Sequence, residues 1–161
     1  MRSLLRVRLF ILVTLLAIWP NEGIAADQPI AVIVSPGYAK NLSVDELKLI
    51  YKRKKLFWND GKKVLPVNLP ASNQLRKSFS QLVLGNSPDE LEKYWNDVYF
   101  HGISPPFVVG SEQAVIHFVA QTPGAIGYVS PCSLENDTEI AIVIDGDGHL
   151  TNDASSFACH K

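Results

Sequence analysis

The segment Asn68–Phe79 (NLPASNQLRKSF) contains the residues of this chain that are best suited to bind an anion. An apolar stretch ends at Asn68, a short polar loop follows, and a helix is predicted to begin near Ser72. The first N–H groups of a helix lack partners within the helix and carry the positive end of its dipole, which favours an anion. Ser72 and Asn73 would add side-chain donors, and Arg76, about one turn into the helix, would match a phosphate group with two hydrogen bonds. The alternative is structural: Ser72 only caps the helix and Arg76 is solvated.

The sequence lacks the familiar patterns of catalytic and metal-binding sites. It contains neither a GxSxG nucleophile elbow nor a glycine-rich P-loop, and no two of its four histidines stand at the helical i, i+4 spacing of metal ligands. The segment Asp145–Gly148 (DGDG) begins like a calcium loop. The positions that should then supply an oxygen ligand, a glycine and a glutamate hold His149, Leu150 and Ser156 instead. We therefore predict a hairpin turn there, no metal ion, no cofactor and no enzymatic activity.

Short apolar stretches alternate with amphipathic ones along the chain, as expected for an α/β protein. Ser43–Glu46 and Ser87–Glu90 have the pattern of capping boxes, and Gly85 is expected to end the second helix. Pro66 indicates that the second strand has an edge or irregular position. The predicted strands are Pro29–Ser35, Val64–Asn68, Ala125–Ser130 and Glu139–Ile144, and the predicted helices begin near Ser43, Ser72, Ser87 and Ser111.

Residues 1–26 have the three parts of a secretory signal peptide. A basic start is followed by an apolar run of about eleven residues and then by small residues that precede a cleavage site after Ala25 or Ala26. An uncleaved membrane anchor is the alternative, but the run is about half of the roughly 20 residues that span a bilayer. We expect a cleaved signal, a periplasmic location and one domain over residues 27–161.

The composition agrees with one exported domain of ordinary type. The 161 residues are 47% hydrophobic and 19% charged, and the net charge of −1 gives no reason to expect a nucleic-acid partner. Removal of residues 1–26 takes away three arginines and one glutamate and leaves a net charge of −3. In an oxidising compartment Cys132 and Cys159 are expected to form one disulfide. Two free, buried thiols are the alternative.

Three sequence blocks together resemble the phosphate-type substrate-binding proteins of ABC transporters. They are most similar to the short, single-lobe members of the periplasmic binding protein-like group. The blocks are LSVDELKLIYKRKKLFWNDGKKVLPVNL, LRKSFSQLVLGNSPDELEKYWNDVYFHG and VAQTPGAIGYVS, and the resemblance covers roughly residues 30 to 130. It implies an exported α/β lobe with a short mixed sheet flanked by about four helices.

The same resemblance implies a binding function and a site. It implies that the protein binds phosphate or a similar oxyanion for ABC-type uptake or sensing, with a membrane permease or an envelope sensor as partner. The anion-binding loop of the family aligns with Ala71–Arg76, where Ser72 and Arg76 match and Asn73 stands in place of a glycine. A cleft needs two walls, and the sequence leaves open whether a second copy supplies the other wall as a homodimer.

A second hypothesis is an interaction protein that keeps this scaffold but has no tight site for a small ligand. Such a protein would dock on a membrane or envelope partner. The basic and aromatic stretch Lys54–Trp58 (KKLFW) is the candidate surface. Alternatively, Phe57 and Trp58 anchor the core, and the run Lys52–Lys55 is the solvated end of a helix, where cations are favoured.

Overall fold

The computed structural model of the protein describes residues 28–38, 42–134, 138–151 and Cys159. They form one six-stranded sheet, in the order β3-β2-β4-β1-β5-β6, with four α-helices. The strands are β1 (Ile30–Val34), β2 (Leu65–Asn68), β3 (Phe107–Val108), β4 (Ala125–Val129), β5 (Ile140–Ile144) and β6 (Leu150–Thr151). The helices are α1 (Val44–Tyr51), α2 (Gln74–Phe79), α3 (Glu90–Tyr99) and α4 (Glu112–Gln121). The predicted α/β fold with a mixed sheet and four helices is confirmed.

The sheet is mixed because β1 runs against its neighbours. β2 pairs in parallel with both β3 and β4, whereas β1 is antiparallel to β4 and β5. Every residue of β1 and β4 is buried, which agrees with their continuous apolar sequences. Pro66 was expected at an edge or irregular position of the second strand. In the structure it pairs with Ile126 of β4 on one side only, because β3 begins to pair with β2 at Val67. A residue without an N–H therefore lies where β2 has a single neighbour.

The helix ends follow the local sequence signals. Ser43 and Glu46 form the predicted capping box of α1, and Gly85, with φ of +71°, ends the helical segment that contains α2. That segment continues beyond Phe79 as a π-helical turn over Ser80–Leu84. Its N-cap is Asn73, one residue after the Ser72 that the structural alternative proposed.

Two short strands were not predicted. β3 and β6 have two residues each, too few for an alternating pattern, and their side chains are mostly exposed. The region of β3 was predicted to be an irregular connection, whereas β6 completes the hairpin expected at Asp145–Gly148.

The structure contains the expected disulfide between Cys132 and Cys159, with Cα atoms 5.4 Å apart. It joins a 3-10 turn after β4 to the C-terminal end of the chain. Within the described residues, no helix is long and apolar enough to cross a membrane. The predicted signal peptide lies outside the described residues.

Candidate functional site

The carboxyl ends of three parallel strands meet at one edge of the sheet. β2 ends at Asn68 and β3 ends beside it at Val108, while β4 runs parallel to β2 on the other side. The helices that follow β2 and β3 both begin at this edge, with Asn73 and Ser111 as their caps. In open α/β sheets, ligands usually bind outside the carboxyl ends of the strands, where helix N-termini converge.

Arg76 is buried directly below this edge, with only 7% of its surface exposed. Its Nη1 donates a hydrogen bond to Oδ1 of Asn68, the last residue of β2. The Tyr128 hydroxyl donates to the same oxygen over 3.3 Å and accepts from the Leu69 N–H over 3.3 Å. Among the described residues no carboxylate forms an ion pair with Arg76. Among the described residues, therefore, a positive charge in the interior has only neutral hydrogen-bond partners.

An aromatic cluster that includes Tyr51 and Tyr128 lies near this arginine. The rings of Phe79 and Tyr128 stack in parallel at 3.9 Å between centroids, and Tyr51 packs edge-on to Phe79 at 4.6 Å. Burial raises the pKa of the Tyr128 hydroxyl, and the nearby Arg76 charge acts in the opposite direction. The hydroxyl therefore stays protonated at neutral pH and remains a hydrogen-bond donor to Asn68.

The loop before α2 holds the other two predicted residues. Ser72 is exposed, and Asn73 is half-buried. The Oδ1 atom of Asn73 accepts from the Arg76 N–H over 3.2 Å. The N–H groups of Gln74 and Leu75 have no hydrogen-bond partner among the described residues, as expected for the first turn of a helix. The loop thus presents backbone donors, while the Arg76 side chain points inward.

A cleft of about 390 Å³ opens beside this loop. One wall of this cleft is a row of polar residues that the sequence analysis did not identify. The spacing could have shown it, because residues at i, i+3, i+4 and i+7 lie on one side of a helix, as do Gln74, Lys77, Ser78 and Gln81. Its lining residues are Ala71, Gln74, Lys77, Ser78, Gln81, Ser87, Pro88 and Asp89. The structure therefore adds an exposed cation, Lys77, to the surroundings of the predicted site.

The hairpin between β5 and β6 brings Asp145, Asp147 and His149 together, with potential ligand atoms within 4.8 Å of one another. The Asp145 carboxylate accepts from the N–H groups of Asp147 and His149 over 2.9 and 2.8 Å. These bonds lower the pKa of Asp145, the one to His149 most. They close the turn, which agrees with the prediction of a hairpin at this position.

One curated protein matches much of the sequence. The phosphate-binding protein PstS of Bacillus subtilis (strain 168) is 35% identical over 141 residues, which cover 78% of this chain and 42% of the PstS chain. The chain thus spans less than half of the length of this relative. No family model matches the chain.

Solved structures show the same fold. A phosphate ABC transporter substrate-binding protein from Clostridium perfringens, described as putative and solved with bound phosphate, superposes with a TM-score of 0.59 at 19% identity, over 71% of this chain and 44% of that one. An ABC-type phosphate transport receptor from Vibrio cholerae superposes with a TM-score of 0.57 at 23% identity, over 70% and 45%. The chain is thus similar in sequence to a phosphate-binding protein and shares its fold with phosphate-type substrate-binding proteins of ABC transporters, of which it matches a little under half of the length.

Proposed function

We propose that this protein binds phosphate at the carboxyl ends of β2 and β4, in front of the first turn of α2. The observation that carries the proposal is Arg76, a buried cation with no carboxylate partner among the described residues, placed behind unpaired N–H groups. A buried charge without an opposite charge is costly. An anion at the loop would offset that cost, so the arrangement favours an anionic ligand over an empty site.

The expected contacts follow from the donors present at the loop. The N–H groups of Gln74 and Leu75 and the Ser72 hydroxyl would donate to the phosphate oxygens. Arg76 would act through its charge, because its Nη1 is already bonded to Asn68. Its field is screened less in the interior than it would be in water. Lys77, exposed in the adjacent cleft, would attract the ligand.

The biological role that best fits such a site is that of an exported binding protein rather than an enzyme. We propose that residues 1–26 direct export, that the domain works outside the cytoplasmic membrane, and that it delivers phosphate to an ABC-type permease or reports it to a sensor. The relatives named above are phosphate-binding or phosphate transport proteins by their own descriptions.

Calorimetric titration tests the binding proposal. The purified protein is titrated with phosphate in a phosphate-free buffer, with sulfate as a second tetrahedral anion. We expect saturable binding of phosphate, weakened about tenfold or more in Arg76→Met, because the variant lacks the buried charge that attracts the anion. Lys93→Met, on the exposed side of α3, is the matched control and should leave the affinity unchanged.

Two results would contradict this proposal. Equal phosphate affinity in Arg76→Met and in the parent protein would remove Arg76 from the site. No heat and no thermal shift at millimolar phosphate would favour the second hypothesis, an interaction protein on the same scaffold.

A further inference from the structure

A surface that combines exposed lysines with exposed apolar side chains lies around the end of α1. Its apolar residues are Leu49, Leu56 and Phe57, which expose 43%, 42% and 52% of their surface. Its cations are Lys48, Lys54 and Lys63, all exposed. We call these six residues the basic–apolar surface. Within the same stretch Trp58 is buried, so only part of the KKLFW segment anchors the core.

Backbone hydrogen bonds hold this surface in one shape. The N–H groups of Lys54 and Lys55 both donate to the Leu49 carbonyl, over 2.8 and 3.0 Å. Phe57 and Lys63 then face each other across an antiparallel bridge, and the Leu56 carbonyl accepts from the Val64 N–H over 2.9 Å. The exposed apolar and basic side chains are therefore carried by a closed turn and hairpin rather than by a loose loop.

The positive charge of the surface is largely uncompensated. Lys55 pairs with Glu46 over 2.9 Å, and Lys62 lies 3.7 Å from Asp60. In the described parts of the chain, no carboxylate pairs with Lys48, Lys54 or Lys63. Burial and repulsion from Lys48 and Lys54 lower the pKa of the intervening Lys52. This concentration of like charge contrasts with the net negative charge of residues 27–161.

The basic–apolar surface is distant from the phosphate site along the sheet. Residues 54–63 precede Leu65, the first residue of β2, and the Trp58 indole donates to Gly124, just before β4 begins. The candidate phosphate site follows Asn68, the last residue of β2. The two features therefore lie at opposite ends of β2, and each can be altered without the other.

We propose that the basic–apolar surface docks the protein on an anionic lipid bilayer. Lysines near an anionic membrane are attracted to its headgroups, and their long aliphatic stems let the charge follow the headgroup layer. Leu49, Leu56 and Phe57 would enter the boundary between headgroups and acyl chains, which adds hydrophobic binding to the electrostatic attraction. Binding to an acidic protein through the same lysines is the alternative outcome that the vesicle experiment below separates from lipid binding.

Vesicle flotation tests this proposal. The full chain is expressed with its own N-terminal segment, recovered from the exported fraction, and mixed with vesicles of phosphatidylcholine alone or with one third phosphatidylglycerol. We expect binding to the anionic vesicles only, weakened by 0.5 M salt. Each lysine near an anionic membrane contributes about a factor of five to binding, so Lys48→Gln/Lys54→Gln should weaken vesicle binding about 25-fold. The control Lys77→Gln/Lys93→Gln removes the same charge elsewhere and should leave binding near the parent value.

Each other outcome overturns the proposal. Equal binding to neutral vesicles, or equal loss in the two double-lysine variants, would show that this surface is not the determinant. Unchanged vesicle binding in Leu56→Ser/Phe57→Ser would show that these side chains do not enter the bilayer and that the attraction is electrostatic only. Phosphate titration of Lys48→Gln/Lys54→Gln and of Leu56→Ser/Phe57→Ser should match the parent protein, so failure of vesicle docking and failure of phosphate binding are separate results.

Discussion

The buried arginine leads to a prediction about stability in which the two partners of one hydrogen bond behave differently. Asn68→Leu leaves the Arg76 charge in the interior without its acceptor and also removes the acceptor of the Tyr128 hydroxyl. Arg76→Met removes the charge, fills a similar volume, and leaves the Asn68 oxygen bonded to Tyr128. We therefore expect Asn68→Leu to be clearly more destabilising than Arg76→Met, although both change the same contact.

The magnitudes follow from the groups left without partners. A hydrogen bond to a charged group contributes about 1.5–3 kcal/mol, and leaving a second buried donor unpaired costs about 1–3 kcal/mol more. Asn68→Leu should thus lower the free energy of unfolding by about 3–5 kcal/mol. Arg76→Met should change it by about 1 kcal/mol or less, because the oxygen stays satisfied and the cost of burying a charge is removed.

Urea unfolding followed by tryptophan fluorescence and circular dichroism measures this difference. Lys77→Met, an exposed neighbour on α2, is the matched control and should lie within about 0.5 kcal/mol of the parent protein. The double variant Asn68→Leu/Arg76→Met should recover part of the loss, because it no longer contains an unpaired charge. A larger loss for Arg76→Met than for Asn68→Leu would refute the reasoning, since it would mean that the guanidinium stabilises the fold through other contacts.

Three further predictions concern the fold. In Gly127→Ala the new methyl group would press on side chains of α4 and lie 2.9 Å from a Val67 methyl carbon. We therefore expect the free energy of unfolding in urea to fall by about 1–3 kcal/mol. The control Gly110→Ala, where the space is open, should show no loss. Cys132→Ser/Cys159→Ser should cost about 3–4 kcal/mol, and added reductant should then have no further effect on its thermal unfolding. The hydrogen bond from Lys55 lowers the pKa of Glu46 below its usual 4.5. The ionised Glu46 therefore stabilises the fold above about pH 4.5, and this contribution is lost as the pH falls through the lowered pKa. Acidification should consequently reduce the stability of Glu46→Gln less than that of the parent protein, as measured by circular dichroism.

Much of the fold was predictable because it is encoded by short-range signals. The capping box at Ser43 joins residues three apart, and the stop at Gly85 requires only a left-handed backbone conformation. The buried strands β1 and β4 are continuous apolar runs. β3 has none of these signals, because its two exposed residues are a strand only through pairing with β2.

The strand, loop and helix around the candidate site were predictable, but the contacts of their side chains were not. The strand-loop-helix pattern correctly located the start of α2, yet the N-cap is Asn73, which ordinary capping preference does not distinguish from Ser72. Arg76 bonds to Asn68, eight residues earlier, and Asn68 in turn accepts a hydrogen bond from Tyr128 of β4. Periodicity carries no information on such contacts. Likewise, Phe57 is exposed and Trp58 buried because successive residues of an extended segment point to opposite sides.

The cost of burying Arg76 also couples ligand binding to stability. If phosphate compensates this charge, it binds the folded protein only, and at a concentration 100 times the dissociation constant it should stabilise the fold by about 2.7 kcal/mol. Arg76→Met has no charge to compensate, so the same phosphate concentration should shift its melting temperature much less, although the variant itself stays folded. Equal phosphate-induced shifts in the two proteins would mean that the anion is held by the helix N–H groups alone, and the buried arginine would then need another explanation.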